Sequence, residues 1–187
     1  MLDNATAQQL HQEFVEGRIF AYPTEAVYGL GCDPDNESAV TELLRLKQRS
    51  VTKGLILVAR NYSQLLSYVD DNAIPMDRRT EIFSSWPGPN TWLLPASKKA
   101  PSWITGGSDL IAVRVSQHPM VQALCELFQK PLVSTSANIS TYPAAQTPEE
   151  VVAQFADQVI LIEGALGGAL KPSMIRHGAT GKVIREN

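Results

Sequence analysis

The sequence has only two cysteines, Cys32 and Cys125, far apart and outside any CxxC spacing, so it encodes neither a disulfide framework nor a cysteine-based zinc site. Both read as reduced thiols, and the cytoplasm is the expected compartment. Histidine is as sparse, with three in the chain, and His11 has no second ligand at metal spacing. Basic charge is not in excess: 16 Lys and Arg face 19 Asp and Glu, for a net charge of −3. That balance argues against a surface that binds polyanions over its whole extent, while leaving room for a local basic cleft. No apolar run approaches the length of a membrane span, and the polar start Met1-Leu2-Asp3-Asn4-Ala5-Thr6 lacks the basic-then-apolar order of a signal peptide. Three motifs are also missing. There is no GxxxxGK[ST], which excludes a P-loop NTPase; Gly29 and Gly31 lack the third glycine of a dinucleotide fingerprint; and no GxSxG elbow surrounds any serine.

What is present centres on the stretch Val133-Ser134-Thr135-Ser136-Ala137-Asn138-Ile139-Ser140, a hydroxyl-rich turn expected after the apolar strand Pro131-Leu132-Val133. A helix cap needs only one such residue, whereas a ligand site at the carboxyl end of an α/β strand uses several. Upstream, Lys47, Arg49 and Lys53 cluster where a helix starting near Asp35-Asn36 gives way to the strand 54–59, and three cations at such a junction attract an anion. These cations and hydroxyls are expected to face one another across a cleft that holds a nucleotide.

Along the chain, Thr6 to Glu16 reads as an amphipathic helix capped by Thr6 and ended by Gly17, and 19–22 as a strand stopped by Pro23. Thr24 to Gly31 reads as a glycine-bearing ligand loop. Short helices are expected over 63–69 and 77–83, followed by a rigid wall at Trp86-Pro87-Gly88-Pro89. The strand 111–115 carries Arg114, whose guanidinium must reach solvent, an acid or a ligand carboxylate or phosphate. His118-Pro119 opens a helix; the histidine is either an entry turn or a partner for Ser134 or Ser136. Thr147-Pro148-Glu149-Glu150 is a strong helix start, and a strand follows at 159–162. The glycine-rich segment 164–172 is either a lid or a linker, and 174–185 forms a terminal hairpin. Alternating helices and strands over 187 residues predict an α/β fold: one domain, 1–187, with a twisted open mixed sheet, flanking helices and a concave basic cleft.

Five motifs occur in order: Tyr22-Pro23-Thr24-Glu25-x-x-Tyr28-Gly29-Leu30, Lys47-x-Arg49, Trp86-Pro87-Gly88-Pro89-x-Thr91, Ala112-Val113-Arg114-Val115 and Ser134-Thr135-Ser136-Ala137-Asn138-x-Ser140. With these, nearly the whole chain closely resembles the YrdC-like family, in its short single-domain bacterial form. Ser50, Asn90, Ser116 and Met174 depart from the residues usual there. The resemblance implies synthesis of threonylcarbamoyl-adenylate and pyrophosphate from L-threonine, bicarbonate and ATP with Mg2+. The product then passes to the transferase complex that modifies adenosine in tRNAs reading ANN codons. It implies catalytic and ATP-binding roles for Lys47, Arg49, Ser136 and Asn138, with Lys53 at the phosphates. Thr24, Tyr28, Arg114, Ser134 and Ser173 would lie near the threonine, and no residue is assigned to the metal. No protein nucleophile is required, and the serines are expected to donate hydrogen bonds.

Two other functions compete. One is a double-stranded RNA-binding or ribosome-assembly module, suggested by a basic cleft and the family's affinity for RNA. The other is a hydrolase built on His118 with Ser134 or Ser136.

Overall fold

The computed structural model describes residues 4–186, so the first part of the polar start, Met1 to Asp3, lies outside the described residues. Helix α1 spans Asn4–Val15 and is closed by Gly17 at φ +79. Thr6 therefore sits inside this helix rather than capping it. Strands β1 (Phe20–Pro23) and β2 (Tyr28–Gly31) follow, then α2 (Glu37–Lys47), β3 (Ile56–Ala59), α3 (Met76–Ser84) and β4 (Asn90–Pro95). The chain continues through α4 (Ser102–Thr105), β5 (Leu110–Val115), α5 (Pro119–Leu127) and β6 (Leu132–Ser136). It ends with α6 (Pro148–Phe155), β7 (Ile160–Leu161), β8 (Met174–His177) and β9 (Val183–Arg185). The helix expected over 63–69 is a 3-10 turn, Tyr62–Leu65.

Among the described residues the nine strands form one sheet, ordered β7-β1-β2-β6-β3-β5-β4-β8-β9. The sheet is mixed throughout, as the sequence predicts. β6 runs antiparallel to both neighbours, β2 and β3, whereas β1 and β7, β3 and β5, and β4 and β8 pair in parallel.

Two further expectations change. Pro23 belongs to β1, and the second half of the loop read from Thr24 to Gly31 is a strand hydrogen-bonded to β1. Glycine there serves close packing: a Cβ on Gly31 would stand 2.1 Å from the Val133 carbonyl oxygen, so only a residue without one lets β2 lie against β6. Likewise the expected turn after Val133 is still strand, since β6 continues through Ser134, Thr135 and Ser136.

Side chains alternate across this sheet as the two-residue period demands. Phe20, Tyr22, Val58 and Leu132 face an apolar layer built with Leu10 and Phe14 of α1 and with Val121 and Leu124 of α5. Phe14 and Phe128 stack at 4.0 Å within it. Their neighbours Ala21, Leu57, Ala59 and Val133 face the opposite layer, with Val40 and Leu43 of α2, Ile82 of α3 and Phe155 of α6. Trp92 is fully buried there.

Candidate active site

The alternation that sends Leu132 into the first apolar layer puts Ser134 and Ser136 on the same face, beyond the end of that layer. The register adds partners: Gly29 lies opposite Ser136, Ile56 opposite Ser134, and Val58 of β3 opposite Arg114 of β5. The result is a cavity of about 160 Å³ floored by Gly29, Ile56, Arg114, Ser134 and Ser136. Its walls come from the β1–β2 turn (Thr24, Glu25, Tyr28), from Arg49 and Pro89, and from a C-terminal group, Lys171, Ser173 and Arg185. Pro89 fits the expected rigid wall.

Arg49 reaches the cavity because of how α2 ends. Asn36 caps its start by accepting from Ala39 N, and Gln48 closes it in the left-handed region at φ 51. There Gln48 N donates to Arg45 O and Arg49 N to Leu44 O, a Schellman-type finish that turns the chain sharply. The Arg49 Nη2 donates to Gly54 O, while its Nε is buried without a partner. Burial lowers the pKa of its guanidinium.

Lys47, the last residue of α2, points the other way. Its ammonium donates to Ser136 O, to Asn138 O at 2.8 Å and to Asn138 Oδ1 at 3.3 Å, and Ser140 N donates back to Lys47 O. The expected meeting of Lys47 and Arg49 with Ser136 and Asn138 thus occurs, with a division of labour. Arg49 and Ser136 line the cavity; Lys47 and Asn138 stand behind it and fasten α2 to the end of β6. Burial, with the nearby Arg49 charge, lowers the Lys47 pKa to about 8. Lys53 is exposed at the end of a 3-10 turn, outside the lining.

Arg114 meets an acid: its Nη1 lies 3.2 Å from Glu25 Oε2, with both side chains buried. Ser116 Oγ donates to Glu25 Oε1 at 2.6 Å and so holds the carboxylate. Glu25 Oε2 and Arg114 Nε are buried without a hydrogen bond. Thr24 Oγ1 donates to Val27 O and fixes the turn, while Ser173 Oγ shares a hydrogen bond with Thr91 Oγ1.

His118 resolves as a cap. Its Nδ1 accepts from Met120 N and its Nε2 contacts Ala165 O at 3.1 Å, so neither ring nitrogen is bonded to Ser134 or Ser136. The hydrolase arrangement is absent among the described residues.

The glycine-rich segment lies across the β1–β2 turn as a strap. Gly167 N donates to Thr24 O, Ala169 N to Glu25 O, and Tyr28 OH to Gly164 O. It brings Lys171 and Ser173 to the rim. Lys171 and Arg185 were not candidates from the sequence. Arg185 looks like an ordinary polar position in a hairpin strand, and only the pairing of β8 with β4 carries it to the cavity, where its Nη2 donates to Ser173 O. Arg185 is exposed as a residue, and it is the partial burial of its guanidinium end, followed by the nearby charges of Arg114 and Arg49, that lowers its pKa. Four residues with cationic side chains, Arg49, Arg114, Lys171 and Arg185, are therefore among those that line the cavity, with one acid, Glu25.

Among the described residues no group of three or more His, Cys, Asp or Glu could hold a metal ion, and no helix is long and apolar enough to cross a membrane.

Comparison with known proteins accords with this geometry. The chain is 63% identical over 187 residues, covering 100% of this chain and 100% of that protein, to a threonylcarbamoyl-AMP synthase of Pseudoalteromonas atlantica. It is 54% identical over 171 residues to one from Escherichia coli O1:K1 / APEC, covering 91% of this chain and 90% of that protein. Among solved structures, P. abyssi Sua5 complexed with L-threonine superposes with a TM-score of 0.84 at 31% identity. That match covers 95% of this chain and 52% of Sua5, so the chain spans about half the length of that protein. E. coli YciO gives a TM-score of 0.82 at 26% identity, covering 100% of this chain and 91% of that one. The family model Sua5_yciO_yrdC, described as telomere recombination, matches residues 12–187, and the chain belongs to this family.

Proposed function

We infer that this chain is a threonylcarbamoyl-AMP synthase, joining L-threonine, bicarbonate and ATP into L-threonylcarbamoyladenylate with release of pyrophosphate and water. The observation that carries this reading is the 63% identity over the entire length of a protein of that name. The cavity supports it chemically. A triphosphate, an amino-acid carboxylate and a carbamate repel one another unless fixed cations separate them, and Arg49, Arg114, Lys171 and Arg185 supply that charge.

In this reading the threonine amine forms a C–N bond to the carbon of bicarbonate, with loss of a proton and of water overall. A carbamate oxygen then attacks the α-phosphorus in line, and the bond to the bridging oxygen breaks with its electron pair leaving on pyrophosphate. The chain contributes placement and electrostatic stabilisation, without a covalent adduct. At about 160 Å³ the cavity is smaller than the roughly 300–1,000 Å³ of typical drug-sized ligand sites. It suits an amino acid, placed near Thr24, Tyr28, Arg114, Ser134 and Ser173, with the nucleotide extending over the rim beside Arg49. Lys47 and Asn138 act from behind the wall, and Lys53 receives no role.

The described residues form no carboxylate cage at the cavity, where Glu25 is committed to Ser116 and Arg114. They suit Mg2+ as an ion carried on the ATP phosphates, where it offsets charge, rather than one held by the chain. The product is a mixed anhydride that a tRNA threonylcarbamoyl transferase would consume. No observation favours the double-stranded RNA-binding alternative.

The test is pyrophosphate release with ATP, bicarbonate and Mg2+, run with and without L-threonine. Threonine-dependent release is expected. Its absence, together with RNA binding that weakens steeply with salt, would overturn the reading.

A further inference from the structure

The loop after β6 is strained and clamped. Thr141 adopts φ 78, a left-handed conformation that a β-branched residue takes only when its surroundings impose it. The clamp comes from Gln154 on α6. Its Oε1 accepts from Ile139 N at 3.0 Å and its Nε2 donates to Pro143 O at 3.1 Å, so one amide grips both ends of the loop.

Inside the loop, Asn138 Nδ2 donates to Ile139 O at 3.1 Å and to Tyr142 O at 3.0 Å. With both amide hydrogens committed, Oδ1 is turned toward Ser136 and Lys47. Ser136 Oγ lies 2.6 Å from that oxygen, which carries no hydrogen, so the hydroxyl must donate to it. Ser136 then offers the cavity lone pairs alone. This reverses the expectation that this serine donates: it accepts from a ligand donor such as an amine or a protonated bicarbonate oxygen.

We propose that Gln154, though outside the cavity, is a positioning residue that fixes the Ser136 hydroxyl as an acceptor by holding the strained 139–143 loop around Asn138. The inference rests on the synthase reading for its kinetic consequence and on the hydrogen-bond geometry for the clamp itself.

The experiment compares wild type with Gln154→Ala, Gln154→Glu and the double variant Gln154→Ala, Thr141→Gly. It measures threonine-dependent pyrophosphate release, melting temperature and amide hydrogen exchange at Ile139 and Tyr142. Gln154→Ala is expected to lower kcat by about tenfold or more at an unchanged melting temperature and to speed exchange at both amides. Gln154→Glu keeps the acceptor for Ile139 N, loses the donor to Pro143 O, and falls between. Glycine accepts φ 78 without strain, so Thr141→Gly restores part of the lost kcat and exchange protection. Wild-type kcat in Gln154→Ala, or a loss that merely follows melting temperature and is not restored by Thr141→Gly, overturns the proposal. If wild type itself releases no pyrophosphate, the synthase reading fails, and the exchange rates alone decide the clamp: unchanged exchange in Gln154→Ala refutes it.

Discussion

Lys47 is held by two opposing effects. Burial and Arg49 disfavour its charge, lowering its pKa to about 8, while three oxygen acceptors hold its protons. An unfolded lysine titrates near 10.5, so between pH 8 and 10.5 the unfolded chain keeps a proton that the folded one has lost. The sign follows: this group's contribution to stability rises with pH across that window, by up to about 3 kcal/mol, and is flat below it. Denaturant unfolding of wild type and Lys47→Met at several pH values isolates the effect, because other titrating groups cancel. The same variant leaves the Ser136 and Asn138 carbonyls without their cation and is expected to lower turnover several-fold to a thousandfold, roughly 1–4 kcal/mol. Glu25 gives a second expectation at this scale. Glu25→Ala strands the buried Arg114 charge and should cost about 3 kcal/mol, whereas Glu25→Gln, still able to accept from Ser116, should cost less. Equal melting temperatures for the two variants would contradict this. The sequence made the partnership of Lys47 and Arg49 with Ser136 and Asn138 readable, because cations and hydroxyls at element ends signal an anion site. It did not tell Lys47 from Arg49 in direction. That depends on the left-handed Gln48, a conformation glutamine does not announce.

At the scale of elements, the β1–β2 hairpin sets the position of the Thr24–Tyr28 wall, and its seating depends on Gly31. A methyl there would collide with the Val133 carbonyl and approach Tyr22 OH at 2.8 Å, and Tyr22 OH itself donates to Val133 O. Gly31→Ala is therefore expected to cost about 3 kcal/mol or more, as overpacking against backbone does. A falling denaturation midpoint at constant slope would show it, and an unchanged midpoint would refute it. The helix α6 was readable from its cap, Thr147, which accepts from Glu150 N, and α2 from its apolar pattern beginning near Asp35-Asn36, where Asn36 proves to accept from Ala39 N. The hairpin was not, since glycines in a strand look like a loop until the neighbouring backbone that requires them is known. The strap over this hairpin was also hidden, because its hydrogen bonds are made by backbone groups of Gly164, Gly167 and Ala169 that no side-chain pattern reveals.

For the whole molecule, the sheet order is what turns scattered motifs into one site. β6 inserted antiparallel between β2 and β3 places Ser134 and Ser136 beside Gly29 and Ile56, and the pairing of β8 with β4 brings Arg185 from the C-terminal hairpin to the same cavity. The α/β class was legible from alternating helical and strand patterns, but strand order was not, because adjacency in a mixed sheet depends on long-range pairing. The central claim is that this assembled cavity joins an amino acid, a one-carbon acid and an adenylate. It is tested most directly by supplying carbon-labelled bicarbonate with ATP and Mg2+ and isolating the nucleotide product. The account predicts label in an adenylate that forms only when L-threonine is present and is lost in Arg114→Ala. Pyrophosphate release with no label entering the nucleotide would contradict it.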